Sequence, residues 1–416
     1  MKIELVTIGD ELLLGFTIDT NAAYIARHLA DIGVEIERRT TVGDEATQIA
    51  AAVRDGLDRA GAVITTGGLG PTSDDLTKPS IAVLFGREMR FDEEHFAWMA
   101  ERWRTRFGRE IPAANRQQAM IPEGATKLRN NHGSAPGIWL EDDLGHWVAM
   151  LPGVPREMRG MLDDTLLPML RARVGGDRVV RSLTLRTTGL AESLIAERVA
   201  AIPGGVPEAS LAYLPNVDGV DLRLTVRGLP AAEADRRLDA AAGRLRAAFD
   251  ADLYGDGDTD LAAAVLDSCR ERGLRIAVGE SCTGGMVGER LTRIPGASDV
   301  FVGGAIAYAN EIKTSLLGVP AATIRAHGAV SEPVARAMAT GARERTGAGI
   351  GLAVTGIAGP DGGTPEKPVG TVWIAADVAG DVRAVPLHLW GDRQEVRQRA
   401  AQAALNLVRR MLAAAG

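Results

Sequence analysis

The sequence predicts an α/β protein, with two parallel-sheet α/β domains joined by a small α+β module. Three observations carry that prediction. Short apolar runs alternate with helix-patterned segments through residues 1–172 and again through 256–416, as a parallel sheet covered by helices requires. Between them, residues 173–255 break the alternation, reading strand, helix, strand, strand, helix. A Gly/Asp-rich joint, Tyr254-Gly255-Asp256-Gly257-Asp258, marks the second boundary. A length of 416 residues, at roughly 150 per domain, agrees with two or three domains.

In the first domain, strands are predicted at residues 3–8, 34–40, 62–65 and 147–151, with helices at 21–32 and 46–59. The texture changes beyond Gly175-Gly176. Strands at 179–187, 209–214 and 220–227 then combine with helices at 191–201 and 231–249. In the third domain, a helix at 261–272 precedes a buried strand at 274–278. Further strands fall near 304–308, 350–355 and 370–376, and a last helix near 394–414.

Composition excludes several classes. Hydrophobic residues are 46% and charged residues 24%, with no repetitive stretch, which is globular rather than disordered. Net charge is -7 and aromatics are 4%, so neither a basic face nor a stacking platform is indicated, and no nucleic-acid partner is expected. Two cysteines, Cys269 and Cys282, cannot form a disulfide framework, and the six histidines lack metal-ligand spacing. Charge and glycine interrupt the opening MKIELVTIGDELLLG too early for a signal peptide. No run reaches the roughly 18 apolar residues of a membrane span. The expectation is a cytoplasmic protein with no membrane partner.

Chemistry concentrates in three strings of the third domain. VGESCTGGMVGERL places Ser281 in a tight turn between a buried strand and a helix, where the first helical amides, near Thr283, Gly284 and Gly285, can stabilise negative charge. Local pattern leaves two readings open: Ser281 as nucleophile, or Ser281 or Thr283 as a helix cap. No histidine lies nearby. AIAYANEIKTSLLGV, read as the next strand, offers Tyr308 and Lys313, and a lysine serves as base only where burial or positive charge lowers its pKa. Composition alone favours reading them as a structural aromatic and a solvated lysine. VTGIAGPDGGTPEKPVGTVW carries Thr355 and Gly356 at a strand end, before a loop with five glycines and three prolines between Gly356 and Gly370. Arg393 and Arg397, four apart on the last helix, are placed to hold a phosphate or carboxylate, or to be surface residues.

The first domain has its own constellation. In TTGGLGPTSDDLT, Thr66, Gly67, Gly68, Gly70 and Thr72 form a strand-end loop rich in backbone donors, suited to phosphate. Asp74 and Asp75 follow, and Asp10 and Glu11 end the first strand at the same sheet edge. Four such carboxylates suit a divalent cation shared with phosphates, although one aspartate reads equally as a helix cap. Asn21 is a cap or a ligand contact.

Taken together, ESCTGG (280–285), AYANEIK (307–313), HGAVSEPV (327–334), TGIAGPDGG (355–363), KPVGTVW (367–373) and GDRQEVR (391–397) resemble the carboxy-terminal domain of CinA proteins. GPTSDDLT (70–77), ANRQQAMIPEGA (114–125), HGSAPG (132–137) and LPGVPREM (151–158) resemble the molybdopterin-binding-like domain at the amino terminus of that family. The resemblance implies a nicotinamide mononucleotide amidase in the third domain, with Ser281, Tyr308 and Lys313 catalytic, Thr355 in the third loop, an arginine at Arg393 or Arg397, and no cofactor. It implies a metal-dependent ADP-ribose pyrophosphatase in the first domain and a KH-like linker between them, here without the GXXG clamp of RNA-binding KH units. It also implies a homodimer. Two other readings stay open: an amidase whose first domain is inactive or binds molybdopterin, and a competence- or damage-linked binding protein.

Overall fold

A computed structural model describes residues 1–174 and 178–414, so Gly175-Gly176 lie outside the described residues. The chain divides into two compact units, residues 1–181 with 226–236, and residues 182–225 with 237–416.

The first unit holds a six-stranded sheet in the order Glu35–Val42, Lys2–Ile8, Ala62–Thr66, Trp147–Leu151, Gly137–Glu141, Thr126–Leu128. Its first four strands are parallel and the last two pair antiparallel at one edge. AVITT and WVAML are buried at every position, which is why they read as unbroken apolar runs: helices cover both faces. The helix Thr20–Ala30 packs on one face with Pro155–Met161, and Ala46–Ala60 packs on the other with Thr77–Leu84. Pairing of Thr7 with Thr66 and of Thr66 with Leu151 brings three strand ends level. The Gly9, Gly67 and Pro152 loops therefore share one edge, where open α/β sheets bind ligands.

The second unit holds one whole sheet and the larger part of another. The smaller orders as Ser210–Pro215, Val220–Pro230, Arg178–Thr187, Leu253–Asp256. Part of the predicted joint is thus a strand: Leu253, Gly255 and Asp256 pair antiparallel with residues 185–187. Its glycine and aspartate read as linker, yet an edge strand needs little more than backbone donors and acceptors, and the buried Tyr254 anchors it. The larger sheet orders as Phe301–Ile306, Ile276–Glu280, Ile350–Gly356, Thr371–Val378, Asp381–His388. The first three strands are parallel and the last two return antiparallel. The strand Asp381–His388, absent from the sequence reading, alternates exposed and half-buried positions and carries Asp381 and Arg383 outward, so it lacks the apolar run that marked its neighbours. Leu261–Glu271 and Arg393–Ala414 cover one face, and Glu332–Thr346 covers the other. That last helix lies unusually close. A Cβ on Gly351 would stand 1.9 Å from the Ala339 carbonyl oxygen, and one on Gly341 would stand 1.7 Å from that of Leu317. Glycine at 351 lets the helix settle against the strand that ends in Thr355, and glycine at 341 lets it settle against the end of the helix Asn310–Leu317.

Candidate active site

Ser281 follows a strand that is buried throughout, and its amide donates to the Val354 carbonyl at 2.9 Å, fixing it to the neighbouring strand. The turn closes through Gly284 N to Ser281 O at 3.0 Å, and left-handed Gly284 and Gly285 lead into the helix Met286–Thr292. No side chain caps this helix from the N-cap position. Instead Glu280, 1% exposed, turns its carboxylate onto three amides: Gly285 at 3.0 Å, Val287 at 3.1 Å and Gly288 at 2.8 Å. Two sequence expectations change. The helix amides predicted to face a reacting group are already occupied by an internal anion, and neither Ser281 nor Thr283 caps. Thr283 is fully buried with its hydroxyl unpartnered, whereas Ser281 stays 8% exposed at a cavity wall.

Lys313 is not on a strand but on the helix Asn310–Leu317, whose axis carries its side chain back to the serine. It is 1% exposed. Nζ lies 2.8 Å from the Ala307 carbonyl oxygen, 2.9 Å from that of Tyr308 and 3.1 Å from Ser281 Oγ. A protonated amine donates to all three. A neutral amine donates to the two carbonyls and turns its lone pair to the serine hydroxyl, which then donates. Burial favours the neutral form and holds the amine below its ordinary pKa, against weaker opposing pulls from Cys282 and Glu311. Tyr308 contributes its main-chain carbonyl to this cage. Its phenol, 59% exposed, instead accepts from Arg393 Nη2 at 3.1 Å, so it is the carbonyl of Tyr308 that faces the lysine.

These groups line a cavity of about 200 Å³, with Asn310, Thr355, Gly356 and Arg393 also in its wall. Thr355 Oγ1 donates to the Ala329 carbonyl at 2.9 Å, which ties the third strand end to the 327–331 loop. The two arginines differ in position. Arg393 Nη1 donates to the Gly359 carbonyl at 2.6 Å, and the guanidinium borders the cavity; Arg397 Nη2 donates to the Thr283 carbonyl at 2.8 Å, outside it. Thr283, Gly284 and Gly285 shape the turn and are not wall residues. Burial pushes the Cys282 thiol up to about 12, so the sulfur beside Ser281 stays protonated. Sequence reasoning passed over Glu280 and Asn310, although a glutamate followed by Ser, Thr and paired Gly before a helix is a readable amide-capping signal.

At the first unit's sheet edge, a cavity of about 550 Å³ is lined by Gly67, Gly68, Gly70, Glu11, Asp74 and Asp75, and also by Asp44 and Glu157, which the sequence reading omitted. Three amides of the predicted phosphate loop are already taken. Asp75 accepts from Gly70 N at 2.7 Å, Thr72 N at 2.8 Å and Thr72 Oγ1 at 2.5 Å, while Gly67 N is taken by the Leu151 carbonyl. Neither aspartate caps the helix Thr77–Leu84. Asp10 exchanges main-chain and side-chain contacts with Asp44 and leaves the wall to Glu11. Among the described residues no three His, Cys, Asp or Glu side chains converge on a metal position, so Asp10, Glu11, Asp74 and Asp75 do not fit a protein-only metal centre. Asn21 does not cap, a role taken by Asp19. It donates to the Gly153 carbonyl at 2.7 Å and to Thr66 Oγ1 at 3.3 Å, and its own Oδ1 is buried without a partner beside a smaller cavity that Glu11 shares. Thr66 Oγ1 in turn donates to the Pro152 carbonyl.

An α/β domain that buries a lysine amine against a serine at a strand-to-helix turn defines a histidine-free serine–lysine site. The chain carrying it belongs to the CinA family. Residues 258–412 match the description "CinA C-terminal domain", residues 4–172 "Probable molybdopterin binding domain" and residues 182–255 "Damage-inducible protein CinA KH domain". A CinA-like protein of Gemmatimonas aurantiaca is 64% identical over 414 residues, covering 99% of this chain and 97% of that one. A CinA-like protein of Gloeobacter violaceus is 44% identical over 409 residues, 98% and 96% of the two chains. Among solved structures, the competence/damage inducible protein CihA from Agrobacterium tumefaciens is 40% identical, covering 37% of this chain and 92% of that one, with a TM-score of 0.35. No helix among the described residues is long and apolar enough to cross a membrane.

A second buried lysine yields a stability prediction. Lys78, 1% exposed, donates to the Gln117 carbonyl at 3.0 Å and the Gln118 carbonyl at 2.9 Å, and burial lowers its pKa to about 8 against the opposing charge of Asp75. Unfolded, it titrates near the ordinary 10.5. Between those values the unfolded chain binds more protons, so stability rises with pH through that window. Urea unfolding of the wild type should show its midpoint climbing from pH 8 to pH 10, and Lys78→Met should flatten that slope. An equal slope in both proteins would remove Lys78 as its source.

Proposed function

We propose that the carboxy-terminal domain hydrolyses nicotinamide mononucleotide to nicotinate mononucleotide and ammonia. The observation that carries this reading is the 3.1 Å contact between Lys313 Nζ and Ser281 Oγ inside the cavity. Neutral Lys313 takes the serine proton as Oγ bonds to the carboxamide carbon. The resulting ammonium returns that proton to the amide nitrogen, the C–N bond breaks, and ammonia leaves an acyl ester on Ser281. Water then gives a proton to Lys313, attacks the ester, and the released serine oxygen is reprotonated. Arg393 offers the donors left after Gly359 and Tyr308 to the nucleotide phosphate.

A second reading concerns the first unit, whose cavity of about 550 Å³ and wall carboxylates, Glu11 and Asp74 among them, support hydrolysis of ADP-ribose taken up as its divalent-cation complex. In that form the ion arrives with the diphosphate rather than residing in the protein.

Ammonia release from nicotinamide mononucleotide tests the first reading. Ser281→Ala and Lys313→Met should each lower kcat by about 10³-fold or more. The wild-type kcat should rise with pH to a plateau, with a midpoint below 10.5, because the base is the deprotonated amine. Arg393→Ala should act mainly on KM. Equal release by wild type and Ser281→Ala would remove Ser281 as nucleophile. For the second reading, ADP-ribose turnover should stop on adding chelator and fall in Asp74→Asn; turnover indifferent to chelator would contradict it.

A further inference from the structure

The second unit carries another cavity, of about 520 Å³, between the 188–191 and 217–219 loops of the small module and the strand Asp381–His388 with the last helix. Its walls are mainly apolar, with Leu190, Val385, Leu387 and Leu407 among them. Two polar groups in that wall lack partners. Gln402 is 3% exposed; its Oε1 accepts from Arg290 at 2.7 Å, which fixes the amide, and its Nε2 is buried without a hydrogen bond. Arg399 stacks on Trp390, 3.8 Å from guanidinium carbon to ring centre. Its Nε is also buried without a hydrogen bond, and among the described residues it has no carboxylate partner.

The other charged wall groups are already engaged. Asp218 faces Arg290 at 3.8 Å and Arg410 pairs with Asp252 at 2.5 Å. Buried donors without acceptors are costly, and a cationic donor beside an apolar wall is most costly of all. What complements them is an apolar planar body carrying an anionic acceptor.

We propose that this cavity binds an aromatic acid, a flat ring bearing a carboxylate or a phosphate, with the anion on Arg399 and Gln402 and the ring against Leu387 and Leu407. The site also reaches the Ser281 cavity through backbone. Leu389 N donates to the Gly370 carbonyl and Gly370 N to the Ile357 carbonyl, each at 2.8 Å, and Ile357 lies between the wall residues Gly356 and Ala358. Trp390 is three residues before Arg393. Occupancy therefore adjusts the placement of Arg393. That second clause rests on the amidase reading; the binding clause does not.

Calorimetric titration of the full chain with benzoate, with adenosine monophosphate and with neutral benzyl alcohol tests it. At least one acid should bind one per chain, and which one distinguishes carboxylate from phosphate. Arg399→Met should weaken that binding by about tenfold or more, and Leu407→Trp, which fills the cavity, should abolish it. Arg393→Ala should leave it unchanged, and benzyl alcohol should bind at least about tenfold more weakly for want of the charged contact. Arg399→Met alters a half-buried position and keeps the test valid if the tryptophan variant fails to fold. Absence of saturable binding by either acid at millimolar concentration, or binding indifferent to Arg399→Met, would overturn the site. For the second clause, the bound acid should shift KM for ammonia release in the wild type and not in Arg399→Met; an unshifted KM with binding intact would overturn the coupling alone.

Discussion

A buried primary amine must find its partners locally, and Lys313 finds them at the ends of two neighbouring strands. The sheet register decides this. Glu280 pairs with Ile306 on one side and with Val354 on the other, so the next residues, Ser281, Ala307 and Thr355, emerge level at one edge. Ala307 N donates to the Glu280 carbonyl at 2.7 Å and locks the arrangement. Two carbonyls from the 307–308 segment then hold the amine against the serine hydroxyl. Slipping any of the three strands by one residue would turn its side chains to the opposite face and disperse the group. The close contact at Gly351 holds the helix Glu332–Thr346 on the strand that ends in Thr355.

A second constraint is shared by the two halves. Each has a strand followed by a glycine-containing turn with unsatisfied amides, the usual receptor for an anion. In each, the chain supplies the anion itself: Glu280 for the helix Met286–Thr292 and Asp75 for the Gly70–Thr72 amides. Those amides are thereby satisfied within the chain, and Arg393 supplies the guanidinium in the wall of the Ser281 cavity.

Much of this was legible in order and kind. Apolar runs at 62–65, 147–151 and 350–355 could only be covered strands, and they are, because continuous burial leaves no polar face to misread. Asp381–His388 and Leu253–Asp256 were missed because edge strands carry the polar and glycine residues of loops. Ser281 stood out by its turn, but its base did not: nothing local separates Lys313 from a surface lysine, and only the fold reveals that its helix turns the amine inward. The same holds for Glu280 and Asp75, whose identities were in plain view while their acceptor roles depended on main-chain directions that no side-chain pattern records.

The central claim is that Ser281, activated by a neutral Lys313, forms an acyl ester with the pyridine carboxamide. Acid-quenched mixtures of the full chain and nicotinamide mononucleotide, digested and analysed by mass spectrometry, test it most directly. The account predicts a base-labile acyl adduct on the peptide containing Ser281, absent from Ser281→Ala and from Lys313→Met. An adduct on another residue, or rapid ammonia release from Ser281→Ala, would contradict it.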